Sequence, residues 1–90
     1  MKKAIVSVIG TDKKGIIARV SGLLFDLGVN VEDISQTIMQ KYFTMIMLVD
    51  LTEAQKDFDE ICVELDALGK EIGVDVRMQS EQIFTAMHRI

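Results

Sequence analysis

The apolar residues of this chain change their spacing in the order strand, helix, strand, strand, helix, strand, and this order constrains the fold more than any other feature. Residues 4–9 form a short, β-branched apolar run that ends at Gly10, which is typical of a buried strand. Apolar residues then recur at helical spacing over residues 16–27. Gly28 fits the left-handed position that closes such a helix.

The second half of the chain shows two strand patterns, a helix pattern and a last strand pattern. Residues 29–40 and 42–51 read as two strands, and Lys41 marks the turn of the antiparallel hairpin that they form. Residues 52–55, Thr-Glu-Ala-Gln, have the form of a capping box, and residues 74–79 alternate as a fourth strand does. The helix between them carries its apolar residues on one face: Phe58, Ile61, Cys62, Leu65, Leu68 and Ile72.

The packing rules for these elements predict one architecture. Two parallel crossovers put both helices on one face of a four-stranded antiparallel sheet, which is an α+β, ferredoxin-like βαββαβ sandwich. The second sheet face is left open, and Ile46 and Leu48 are predicted to lie on it, so we expect a partner there. The tail, residues 81–90, has apolar residues at helical spacing, and we expect it to pack over that face in its own or a second subunit.

Composition excludes several classes of function. Ninety residues with a net charge of −4, one tyrosine and no tryptophan make a single domain that lacks the cationic and aromatic surface of a nucleic-acid binder. No apolar run approaches the ~20 residues that cross a membrane. Cys62 is the only cysteine, so neither an internal disulfide nor a thiolate metal site can form. We expect a cytoplasmic protein with no metal or cofactor.

The loop over residues 10–15 is the segment most suggestive of a binding site. It joins a strand to a helix N-terminus, where backbone N–H groups and the helix dipole favour an anion. Lys13 or Lys14 can assist a carboxylate or phosphate, and Thr11 or Asp12 can cap the helix. Judged by spacing alone, a glycine-bearing turn with a solvated cap is the commoner arrangement.

Other polar residues are weaker candidates. Asn30 follows the first helix, and its amide can hold a ligand head group or can instead form an Asx-turn. His88 lies in the tail without an orienting partner, and Cys62 falls on an apolar helix face, where a small buried hydrophobe is expected. No serine has a histidine beside it, so we predict no catalytic residues.

Two segments together are similar to a known family. Residues 5–16, IVSVIGTDKKGI, and residues 23–31, LLFDLGVNV, resemble the ACT domain. The resemblance extends from Lys3 to Ser80 and is strongest to stand-alone bacterial ACT proteins and to the ACT modules of the glycine-cleavage regulator. It implies an ACT domain over residues 1–80, followed by the tail over residues 81–90.

The resemblance implies a regulatory, non-enzymatic module that binds an amino acid or a similar small carboxylate where two ACT domains meet. It therefore implies a homodimer that signals through a partner protein. By position, Gly15 lets the backbone approach the ligand, Asn30 holds its head group, and Asp12 accepts from an amine or caps the helix. The candidate ligand contacts are Asp12, Gly15, Ile16, Asn30 and Val31.

Two alternative functions stay open at this point. The first is a ligand-free dimerisation module, because some ACT domains bind nothing and the open sheet face suits an interaction. The second is an acylphosphatase-like hydrolase, which needs an arginine in the phosphate-cradling loop. Here that loop offers only lysines, and Arg19 lies about one turn inside the helix.

Overall fold

The computed structural model describes residues 3–11 and 15–80. The predicted βαββαβ order and the α+β ferredoxin-like class are confirmed. No helix among these residues is long and apolar enough to span a membrane. The tail lies outside the described residues, as does Asp12. The elements are β1 Lys3–Thr11, α1 Ile16–Asp26, β2 Asn30–Met39, β3 Tyr42–Asp50, α2 Phe58–Ile72 and β4 Asp75–Ser80.

The four strands form one sheet in the order β2-β3-β1-β4, and every neighbouring pair is antiparallel. At one end of the sheet, Asp50 of β3 lies between Lys3 and Asn30 on the two neighbouring strands. At the opposite end, Tyr42 faces Thr11 of β1. We call these the Asp50 end and the Tyr42 end. The register places the start of β2 and the end of β1 at opposite ends.

The core lies between the helices and one face of the sheet. Alternate residues of each inner strand point towards the helices and are buried, as the two-residue period of a strand requires. Each helix contributes an apolar stripe at three- and four-residue spacing. The central core residues are Ala4, Val6, Val8, Val20, Leu24, Met45, Met47, Val49, Ile61 and Leu65.

The other sheet face is apolar and is not covered by a helix. Ile46 and Leu48 lie on it as predicted, beside Ile5 and Ile9 of β1. Ile9 is 52% exposed and Ile46 36% exposed, whereas Ile5 and Leu48 are half-buried. We call this surface the open face.

The capping box predicted at residues 52–55 is wrong, because α2 begins later, at Phe58. Asp57 is the N-cap residue: its carboxylate accepts from the Glu60 N–H at 2.9 Å, and Glu60 Oε1 accepts from the Asp57 N–H at 3.4 Å. The intervening loop first crosses to the end of α1, where the Gln55 N–H donates to the Leu27 carbonyl at 2.8 Å. Because this tertiary contact holds Gln55 against the end of α1, the helix α2 begins only at Phe58.

Candidate ligand-binding site

The N-terminus of α1 lies at the Tyr42 end and begins at Ile16. Gly15 is the N-cap residue, with a left-handed φ of 85°, and no described side chain caps the helix. Ile16 is only 3% exposed, because its side chain enters the core. Ile16 can therefore contact a ligand only through its backbone N–H, one of the orphan donors of a helix start.

The predicted helix cap is wrong for Thr11 and lies outside the described residues for Asp12. Thr11 is the last residue of β1, opposite Tyr42, whereas the N-cap position belongs to Gly15. A glycine cap supplies no side-chain acceptor, so an external anion has no described oxygen to displace at this helix end.

Asn30 begins β2 at the Asp50 end and is exposed. It lines a cavity of about 250 Å³ together with Asp50, Thr52 and Glu53. The chain is tightly packed here, since a Cβ added to Gly28, at φ 76°, would come within 2.8 Å of the Glu53 carbonyl oxygen. The close approach of this loop to Gly28 forms one wall beside Asn30.

The charge of this cavity is negative. Asp50 Oδ1 accepts from the Thr52 hydroxyl at 2.5 Å and from the Thr52 N–H at 2.9 Å. These two hydrogen bonds hold the pKa of Asp50 below its ordinary value of 3.8, and the nearby ammonium of Lys3 lowers it further. Glu53 adds a second carboxyl group. A cationic group such as an ammonium suits this cavity.

Val31 follows Asn30 into the sheet, where its half-buried side chain packs against the core. The pairing of β2 with β3 shifts between Val31 and Asp33, which leaves Glu32 as the bulged residue. The carboxylate of Glu32 pairs with the Lys3 ammonium. Val31 therefore lies next to the cavity in sequence but is not among its lining residues, because its side chain packs against the core.

The predicted ligand contacts form two groups that the monomer does not bring together. Gly15 and Ile16 lie at the Tyr42 end, and Asn30 and Val31 lie at the Asp50 end. The 11 residues of α1 separate the groups by about 16 Å along the helix axis. The nine residues of β1 span about 26 Å between the same two ends. Both lengths far exceed the head group of an amino acid.

Asp50, Thr52 and Glu53 were not predicted as site residues. The available signal was the Asp-x-Thr spacing, which permits the local hydrogen bonds seen here. This spacing did not predict the hydrogen bonds, because Thr52 also fits the first position of a helix cap. The register of β2 against β3 places Asp50 beside Asn30, and the loop after β3 brings Thr52 and Glu53 to the same cavity.

The remaining candidates show no catalytic arrangement in the described part of the chain. Burial raises the pKa of the Cys62 thiol, which lies 3.8 Å from the Met78 carbonyl oxygen, so the thiolate is disfavoured. No group of three potential metal ligands occurs within residues 3–11 and 15–80. His88 lies outside these residues.

Comparison with known proteins identifies the family to which this chain belongs. The family model of the ACT domain matches residues 2–79. This chain belongs to the ACT domain family. ACT domains are regulatory ligand-binding modules, and the match covers both groups of candidate contacts. The resemblance found in the sequence is thereby confirmed.

Relatives of this ACT domain include small proteins of similar length. UPF0237 proteins of Clostridium acetobutylicum and Bifidobacterium longum are each 54% identical to it. The first alignment covers 98% of this chain and 99% of the clostridial protein, and the second covers both chains completely. These relatives are, like this chain, of single-domain size.

Solved structures agree with the fold. An ACT domain protein from Streptococcus pneumoniae is 43% identical, with a TM-score of 0.81 over 92% of this chain and 93% of that one. A structure named as a glycine cleavage system transcriptional repressor is 23% identical, with a TM-score of 0.74 over 88% of this chain and 45% of that one. The second likeness shows a shared fold alone.

Proposed function

We propose that this ACT domain is an amino-acid sensor that acts as a homodimer. Each ligand lies between the α1 N-terminus of one subunit and the Asn30 cavity of the other. The observation that carries this proposal is the separation of Gly15 from Asn30 by the full length of α1. Two half-sites at opposite ends of one chain are completed when a second chain is reversed against the first.

The strand β2 provides the surface for that pairing. It is an edge strand of ten residues, and its outer hydrogen-bonding groups face away from the sheet. Ile34 and Ile38, on its helix side, are 42% and 58% exposed, and Ile17 of α1 is 38% exposed. A second copy that adds its own β2 would bury these apolar side chains, which a small core makes favourable.

The direction of this pairing brings the half-sites together. The strand β2 runs from Asn30 at the Asp50 end to Met39 at the Tyr42 end. Antiparallel pairing of two β2 strands about a two-fold axis sets the start of one strand beside the end of the other. The Asn30 cavity of one subunit then meets the Tyr42 end of its partner, where α1 begins.

The two half-sites match the two charges of an amino acid. The N–H groups of the first turn after Gly15 and the positive end of the α1 dipole favour the α-carboxylate. The Asp50 carboxylate and the Asn30 side-chain oxygen can accept from the α-ammonium, and Glu53 adds negative charge. The ligand thus links two subunits, and the ligand-bound dimer is the form that a partner protein would recognise.

The structure weakens the hydrolase alternative, and an experiment distinguishes the ligand-free dimerisation module from a sensor. The Arg19 guanidinium lies 3.0 Å from Glu71 of α2, so it pairs across the helices and not with the loop that a hydrolase would use. A ligand-free dimerisation module would use the same β2 edge but would need no Asn30 cavity. Ligand binding therefore distinguishes that module from a sensor.

A thermal-shift screen of the purified protein against the twenty amino acids tests the sensor. A ligand at 100 times its Kd adds roughly 2.7 kcal/mol to the stability of the folded form. We expect one selective shift that is lost in Asn30→Ala and in Ala18→Glu, which puts a repelling carboxylate in the first turn of α1. Ser35→Ala, elsewhere on β2, is the matched control. A flat screen on a clean dimer would favour the ligand-free module.

Mixing two inactive variants tests whether the site is shared between subunits. A heterodimer of the Asn30→Ala and Ala18→Glu chains has one site with both changes and one site with neither. Random pairing therefore restores about a quarter of the wild-type number of sites, measured by titration calorimetry after subunit exchange. If the site lay within one chain, mixing would restore no binding.

A further inference from the structure

We infer that residues 81–90 fold back across the open face of the sheet and cover it within the same chain. This surface is separate from the β2 edge and from the Asn30 cavity. The inference therefore does not depend on ligand binding.

The open face is apolar, and this property favours a segment that covers it. Ile5 and Leu48 are opposite each other on β1 and β3, and Ile46 lies one step further along β3. Together with Ile9 they form an apolar strip over the two central strands, which is interrupted by Ser7 of β1 opposite Ile46. Both helices pack on the other face, so no helix of the described residues lies over this strip. Apolar surface of this kind favours a cover that removes it from water.

The chain leaves the sheet beside this strip. The edge strand β4 ends at Ser80, which is opposite Ala4 of the central strand β1. From β4, the strands β1 and β3 lie about 5 and 10 Å away. The ten residues that follow Ser80 measure about 15 Å as a helix, which is sufficient to reach Leu48 and Ile46 after one reversal of direction.

The segment after Ser80 has the amphipathic sequence that such a cover needs. Ile83, Phe84, Met87 and Ile90 share one face at helical spacing, and the remaining positions are mostly polar. A helix of ten residues is marginal in water by itself, so it needs an apolar surface to form. The covalent link at Ser80 gives the chain's own segment a high effective concentration at this strip, which favours it over a second copy.

Two aspartate substitutions, one on each face of the segment, test the inference. Phe84→Asp would place a charge against the open face, whereas Thr85→Asp places the same charge on the polar side. We expect Phe84→Asp to lower the melting temperature by several degrees and to raise the fluorescence of an added anilinonaphthalene sulfonate dye. Thr85→Asp should change neither. Equal effects of the two substitutions, or no effect of Phe84→Asp, would overturn the inference.

A double-mutant cycle locates the contact. Phe84→Ala and Ile46→Ala should be coupled, so that their joint effect on the unfolding equilibrium constant departs at least about twofold from the product of the single effects. Phe84→Ala and Val63→Ala should combine without coupling, since Val63 is exposed on α2. Additive behaviour of both pairs would contradict contact between the segment and the strip.

Light scattering distinguishes between two ways of covering the open face, namely by residues 81–90 of the same chain and by a second copy. If the segment is the cover, a chain that stops after Ser80 should bind the dye more strongly, and Ile46→Asp should leave the mass of the full chain unchanged. If a second copy is the cover, Ile46→Asp should reduce the mass of the full chain, and the inference would be wrong. Neither readout involves an amino acid, so a failure here is distinct from a failure of the proposed sensor.

Discussion

The helix α2 approaches β4 so closely at Gly69 that there is no room for a methyl group. A Cβ built on Gly69 would be 2.7 Å from the Val74 carbonyl oxygen and 3.2 Å from a Val76 methyl carbon. The backbone around Val74 is held in place, because the N–H groups of Gly73 and Val74 both donate to the Gly69 carbonyl, at 2.8 and 2.9 Å. Alanine at this position would therefore force the helix away from the strand.

The expected change in stability follows from two opposing effects. Alanine within a helix is favoured over glycine by about 0.5–1 kcal/mol. Overpacking of a tight contact costs about 1–3 kcal/mol. Because the nearest atom is a backbone oxygen at 2.7 Å, the upper part of this cost applies, and Gly69→Ala should destabilise the fold by about 1–2 kcal/mol net. At Gly22 of α1 a Cβ meets nothing within 4 Å, so Gly22→Ala should stabilise by about 0.5–1 kcal/mol.

Thermal unfolding followed by circular dichroism at one protein concentration measures both variants. Because 1 kcal/mol shifts the melting temperature of a domain of this size by about 4–8 °C, Gly69→Ala should melt about 4–16 °C below the wild type. Gly22→Ala should melt above it. If Gly69→Ala were as stabilising as Gly22→Ala, the close packing of α2 on β4 would be refuted.

Two further predictions concern the loop before α2 and the cavity beside it. Asp57→Ala should destabilise the protein by about 1 kcal/mol in urea unfolding, because the N-cap of α2 is lost, and unchanged stability would contradict a cap at Asp57. The lowered pKa of Asp50 stabilises the folded state above pH 3.8, and this stabilisation is lost as the pH falls through the folded pKa. Melting temperatures between pH 2 and 6 should therefore depend less on pH in Asp50→Asn, with Asp26→Asn as the control, and an unchanged profile would count against the Thr52 hydrogen bonds.

The sequence predicted the elements well, because hydrophobic spacing reports directly on which side of each element is buried. The predicted strand over residues 29–40 is observed as Asn30–Met39, and the alternation along β3 is observed as predicted. The errors concern helix starts. The cap at Asp57 depends on the contact between Gln55 and Leu27, which joins distant parts of the chain and leaves no local pattern.

The candidate site was only partly predictable for the same reason. Family resemblance supplied Gly15 and Asn30, but their separation is a property of topology and not of spacing. Asp50 and Glu53 reach Asn30 through strand register and a loop that crosses the end of α1. A sequence pattern identifies residue types, whereas the distance between them depends on the folded sheet.

The position of β1 in the sheet has a consequence for synthesis of the protein. Of the four described strands, β1 is made first and lies in the middle of the sheet, whereas β4, which covers its second edge, is made last. The pair of Ala4 and Ser80 closes a loop of nearly the whole domain. The second edge of β1 therefore stays unprotected until β4 has left the ribosome, and unpaired strand edges of this kind are prone to aggregation.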